Sequence, residues 1–138
     1  MANTFDLKVI GSRKTFFSGR AESVTLPYID GGTVTYLAHH ENTVMPVVAG
    51  EMVIKPEEDD AIYAFVGGGY IEFLGNEATV VCVSVERPED IDENRAEEAK
   101  LRAEEELRQH QSQVDYYATK ANLARAMERI KVKNRHEI

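Results

Sequence analysis

The sequence has no tryptophan, a single cysteine and no glycine beyond Gly75. It has no run of about 18 apolar residues, which excludes a transmembrane helix. The opening "MANTFDLKVI" has no basic region followed by a long apolar run, so no secretory signal is visible. One cysteine, Cys82, cannot form an intrachain disulfide, and a reducing, cytosolic setting is the natural reading. Positive charge is scarce as well. Sixteen Lys and Arg stand against 24 Asp and Glu, a formal net charge of -8. That balance argues against nucleic acid as a partner, because phosphate binding needs a basic patch. The 138 residues suffice for one ordinary domain, or for a small domain with an appendage.

What is present is unevenly distributed. Residues 1–86 hold 5 Lys/Arg and 12 Asp/Glu, while residues 87–138 hold 11 and 12. All nine glycines lie in the first part. "FDLKVI" alternates, with Phe5, Leu7 and Val9 on one face, and "AESVTLPYI" sets Val24, Leu26 and Tyr28 against polar neighbours. "TVTYLA", "MPVVAGEMVIK", "AIYAFVGG", "GYIEFLG" and "EATVVCVSV" follow, separated by Gly, Asp or Asn punctuation. Gly75-Asn76 between two apolar runs predicts a hairpin turn, since both residues tolerate positive φ. Short strands at this spacing indicate an antiparallel sandwich or barrel.

Pro88 stops the strands and suits a first helical turn. Asp90 is the expected N-cap, with Glu93 three residues on. The following residues are mostly strong helix formers. "QHQSQ" interrupts them, and Ser112 would cap a second helix running to about Lys133. The fold class is therefore α+β. An antiparallel β-sandwich over residues 1–87 precedes an antiparallel two-helix hairpin over 88–138. The first helix offers an inward stripe of Ala96, Ala99, Ala103 and Leu107. The second offers Val114, Tyr117, Ala121 and Ala124, with Tyr116, Leu123, Met127 and Ile130 beside them. Alanines contribute little, since burial is worth about 0.8 kcal/mol per CH₂, so closure is expected to be marginal. A marginal hairpin can be switched by a ligand or partner that prefers one state. A permanently docked hairpin is the plain alternative.

"FDLKVI", "AESVTLPYIDG", "VGGGYIEF", "VVCVSVERPEDIDENRAEEAK" and "ANLARAMERIKV" together resemble the epsilon subunit of bacterial F-type ATP synthase, in order and over nearly the whole chain. The resemblance implies a non-catalytic subunit that binds gamma, contacts the ring of c subunits and couples its rotation to ATP synthesis. It further implies a hairpin that either folds up or extends along gamma toward the alpha and beta subunits and restrains ATP hydrolysis. The implied location is peripheral, on the cytoplasmic face of the bacterial inner membrane. No cofactor is required, but ATP is an expected regulatory ligand. The loop "TYLAHHENTVMPV" departs from the family pattern; His40 is the preferred match to a partner-contacting histidine, and His39 becomes equivalent if the loop shifts by one.

In some relatives the folded hairpin binds ATP through an "I(L)DxxRA" motif, which stands here as Ile91, Asp92, Glu93, Asn94, Arg95 and Ala96. Asp92 and Arg95 share a helical face. Arg125 and Arg129, four apart, share another, and paired guanidinium groups suit phosphate oxygens. The resemblance assigns these arginines to phosphate and places Glu86 and Arg102 near the same site. Asp92 with Arg95 as a plain intrahelical ion pair, and Arg125 paired with Glu128 or with Glu104–Glu106, are the structural alternatives. An unrelated sandwich-fold binding protein, resting on His39 and His40, is the alternative of a different class. Adjacent strand residues point to opposite faces, and only His110 and His136 remain elsewhere, so no zinc site is expected. Gly67–Gly69 lacks the "GK[ST]" of a phosphate loop and reads as a turn. Cys82 reads as a small core residue.

Overall fold

The computed structural model describes residues 3–109 and 113–137, with side chains for these apart from residues 113–115. Ser112, His110 and the side chain of Val114 lie outside the described residues. The chain divides into two compact units, Met1–Arg87 and Pro88–Ile138.

The first unit holds nine strands. They are β1 (Phe5–Ile10), β2 (Thr15–Pro27), β3 (Thr33–Leu37), β4 (Thr43–Val47), β5 (Gly50–Pro56), β6 (Ile62–Val66), β7 (Gly69–Leu74), β8 (Glu77–Cys82) and β9 (Val85–Glu86). Hydrogen-bonded neighbours run β4-β7-β8-β1-β2-β5-β6-β9, with β3 on β2. The long strand β2 folds this path into a sandwich. Its first half pairs with β1 as far as Ala21, and its second half pairs with β3 and β5. All neighbours are antiparallel except β1 and β8, which run parallel. The sequence reading begins β2 at Ala21 and so omits Thr15–Arg20; it also merges β4 with β5.

Alternation places Phe5, Leu7 and Val9 of β1 inside, beside Ile71 and Phe73 of β7 and Val80 and Cys82 of β8. Phe5 meets Phe73 at 5.2 Å between ring centroids, tilted as aromatic pairs prefer. The β7–β8 connection is the expected two-residue turn, with φ of 57° at Gly75 and 61° at Asn76. Asn76 also ties this end together. Its side chain donates to the Thr4 carbonyl at 3.0 Å and accepts from the His39 amide at 2.7 Å. Gly67 and Gly68 form the β6–β7 connection, and the Val83 amide donates to the Gly68 carbonyl at 2.9 Å.

Cys82 is buried in this core, and burial pushes its thiol up to about 11. The thiolate is the reactive form. Folded protein at neutral pH is therefore expected to resist alkylation by iodoacetamide, while denatured protein reacts. Mass spectrometry of both samples checks this.

The second unit opens with a 3₁₀ turn, Pro88–Asp90, followed by α1 (Glu93–Arg108) and α2 (Gln113–Arg135). The helix-forming run and Pro88 act as expected, but the cap does not. Asp92 caps α1, its carboxylate accepting from the Arg95 amide at 3.1 Å. Asp90 is consumed by the 3₁₀ turn, which the Ile91 amide closes on the Pro88 carbonyl at 3.3 Å.

α1 buries Ala96 and Ala103 of its expected stripe. On α2 the expected Tyr117, Ala121 and Ala124 do not turn inward, whereas Leu123 and Ile130, expected beside them, are half-buried. Tyr117 is 59% exposed, and Ala121 and Ala124 are also exposed, while Thr119, Ala126 and Val132 are buried. Alanine on several faces of α2 leaves its period ambiguous. A flat alanine surface on α1 also gives no pocket for tyrosine rings, whereas Thr119 finds a partner in Glu106 at 3.2 Å. At the base, the Lys133 ammonium donates to the Pro88 carbonyl at 3.2 Å.

Candidate functional site

A groove of about 230 Å³ runs along one side of the helix seam. Ala99, Ala103 and Ala126 supply small side chains along it, and Arg102, Arg125, Arg129, Glu106 and Asn122 supply the polar groups. The groove exists because alanines face each other where larger residues would fill the space. Helical spacing brings the arginines to it: Arg125 and Arg129 are one turn apart on α2, and Arg102 faces them from α1. Three guanidinium groups around one concavity make it rich in donors, since each offers a fixed fork of N–H groups. Arg125 is oriented by its own helix, donating from Nη2 to Oδ1 of Asn122. Its suggested pairing with Glu128 is not what forms; Glu128 accepts from Lys131 at 3.5 Å.

The "IDxxRA" residues sit at the start of α1. They do not line the groove. Ile91 and Ala96, each 4% exposed, occupy the positions before the cap and one turn in, which is where a hydrophobic staple forms. Among the described residues no ion pair joins Asp92 to the Arg95 guanidinium; the carboxylate bonds to the backbone instead. This motif is therefore first a helix-start device. Arg95 is exposed and lies on the same side of α1 as Arg102, seven residues and roughly 10 Å along the axis. Glu86 lies in β9 opposite Phe65, within the first unit. Asn122 escaped the sequence reading, and Glu106 entered it only within Glu104–Glu106 as a possible ion-pair partner of Arg125. Neither has a local motif, and only the helix pairing brings them to the groove.

Replacing Asp92 separates its structural role from any other. Asp92→Ala should cost about 1 kcal/mol of helix stability through loss of the cap, whereas Asp92→Asn should cost little. Urea unfolding followed by helical circular dichroism checks this.

His40 is in a turn, not a strand. His39 has φ of 66°, so the opposite-face argument for the pair does not apply there. The His40 ring packs against Tyr36 at 5.1 Å and Phe73 at 5.4 Å. Its Nδ1 lies 2.8 Å from the Glu41 carbonyl.

The architecture is that of a two-unit chain, a β-sandwich followed by a helical hairpin with a polar groove between its helices. Comparison with known proteins gives the particular family. The ATP synthase Delta/Epsilon chain beta-sandwich domain matches residues 4–88, and the corresponding long alpha-helix domain matches residues 89–134. The ATP synthase epsilon chain of Ruminiclostridium cellulolyticum is 39% identical over 132 residues, covering 96% of this chain and 97% of the relative. That of Caldicellulosiruptor bescii is 36% identical over 136 residues, covering 97% and 98%. In a cryo-EM structure of the Euglena gracilis mitochondrial ATP synthase (OSCP/F1/c-ring), one chain has the same fold. Its TM-score is 0.76 at 16% identity, covering 91% of this chain and 79% of that one. The chain belongs to the epsilon subunit family of F-type ATP synthase, whose members are stalk subunits and not the catalytic ones.

Proposed function

We propose that this subunit couples rotation in the central stalk and carries an ATP-responsive brake on hydrolysis. The sandwich binds gamma and contacts the c-ring, with His40 near a partner surface, and the complex holds it at the cytoplasmic face of the bacterial inner membrane. No helix among the described residues is long and apolar enough to cross a membrane. The hairpin is the regulatory part. Closed, it binds ATP; extended, it reaches the alpha and beta subunits and inhibits.

The observation that carries this reading is the convergence of Arg102, from one helix, with Arg125 and Arg129, from the other, on one groove. A phosphate chain held by all three must bridge the helices, so binding and closure are coupled. The base end is assigned to Asp92 and Arg95. Asp92 keeps a second carboxylate oxygen beyond its capping bond, suited to an adenine amino group, and the Arg95 guanidinium can stack on the base. Ile91 and Ala96 shape that end. A ligand at 100 times its dissociation constant stabilises the closed form by about 2.7 kcal/mol. That is sufficient to hold a hairpin whose interface is mostly alanine.

Two measurements test it. Calorimetric titration of the full chain should show saturable ATP binding; none at millimolar ligand sinks the ligand assignment. In the assembled enzyme, deleting residues 88–138 should raise ATP hydrolysis severalfold, and an unchanged rate leaves only the coupling role.

A further inference from the structure

One carboxylate shares the groove with the three guanidinium groups. Glu106 lines it together with Arg102, Arg125 and Arg129. Its Oε2 accepts from Oγ1 of Thr119 at 3.2 Å, and Thr119 is only 5% exposed. Moving the carboxylate away would orphan a buried hydroxyl, which is costly. Its negative charge is thus fixed in place. Along α1, Arg95, Arg102 and Glu106 recur at spacings of seven and four, so they share one side of the helix. On α1 the groove therefore passes from Arg102 to a carboxylate at Glu106, with Arg95 on the same side of the helix toward its start.

We propose that Glu106 is a specificity-determining residue that opposes the terminal phosphate and limits the length of polyphosphate the groove accepts. This rests on the reading of the groove as a nucleotide site with the base toward Asp92 and Arg95. In that orientation each added phosphate brings negative charge closer to Glu106. The opposition is greatest for a nucleoside triphosphate, smaller for a diphosphate and negligible for a monophosphate. Glu106 thereby keeps ATP binding weaker than three arginines alone would make it, and moves the ATP concentration that closes the hairpin upward.

The test is calorimetric titration of the full chain with ATP, ADP and AMP, for the wild type, Glu106→Gln and Thr119→Val. Glutamine keeps an acceptor for Thr119 while removing the charge. Glu106→Gln should tighten ATP by about three- to tenfold, as expected for one charge a few ångströms away in a partly solvated groove. ADP should gain less and AMP nothing. The gain should shrink as salt rises from about 0.05 to about 0.5 M, since screening acts on charge and not on packing. Thr119→Val, which breaks the bond but keeps the charge, should not tighten ATP. Equal tightening of all three nucleotides, or unchanged or weaker ATP binding in Glu106→Gln, overturns the proposal while leaving the nucleotide site standing. Wild-type protein that binds no nucleotide removes the site and the proposal together.

Discussion

Arg125→Ala is expected to lower ATP affinity by about 30- to 100-fold, equivalent to about 2–3 kcal/mol for a lost charge-assisted contact. The residue is partly exposed, and its bond to Asn122 lies within its own helix. Stability without ligand should therefore stay within about 0.5 kcal/mol of wild type, as for surface sites. The combination separates a ligand residue from a structural one. Arg125→Lys should recover only part of the affinity, because an ammonium lacks the planar fork that binds two phosphate oxygens at once. Calorimetry gives the affinities, and thermal unfolding of the ligand-free variants gives the control.

Gly69→Ala should be the most damaging small substitution in the sandwich. Gly69 begins β7 opposite Cys82 of β8. A Cβ there would run into the Val81 carbonyl oxygen and come within 2.8 Å of the Cys82 Cα. Both are backbone atoms of the neighbouring strand, so no side chain can move aside. Overpacking of this kind costs about 3 kcal/mol or more. For a unit this size that lowers the melting temperature by about 12 °C or more. Gly19→Ala is the contrast. Its Cβ would sit 3.5 Å from the Phe17 ring, an ordinary contact, and no large loss is expected. Thermal unfolding of the two variants side by side checks the difference.

How much of this was legible beforehand depended on whether the signal was local. The Gly75-Asn76 turn and the alternation of β1 are local, and they read correctly. Thr15–Arg20 is not. Phe16 and Phe17 are adjacent and both half-buried, so the segment does not alternate and becomes a strand only through its pairing with β1. The cap was ambiguous because Asp90 and Asp92 are equally suited to it, and the 3₁₀ turn decides between them. The buried face of α2 was hidden for another reason. Ala118, Ala121, Ala124 and Ala126 spread weak apolarity around the helix, and the choice rests on the Thr119–Glu106 bond and on the alanine surface of α1. The arginines of the candidate site were readable from the motif resemblance and their spacing. Asn122 was not, and Glu106 was readable only as one of three carboxylates that could face Arg125, because their place in the groove is set by long-range pairing of the helices.

In the proposed function, groove occupancy and hairpin closure are one equilibrium. Leu101 and Met127, 64% and 40% exposed, lie on the two helices and can each be replaced by cysteine for a fluorescent label. Cys82 is buried and should stay unlabelled. In the assembled enzyme, energy transfer between these labels should rise with ATP along the same saturation curve as binding, and the rise should vanish in Arg125→Ala. Unchanged transfer at saturating ATP, with binding confirmed in the same sample, would contradict the claim.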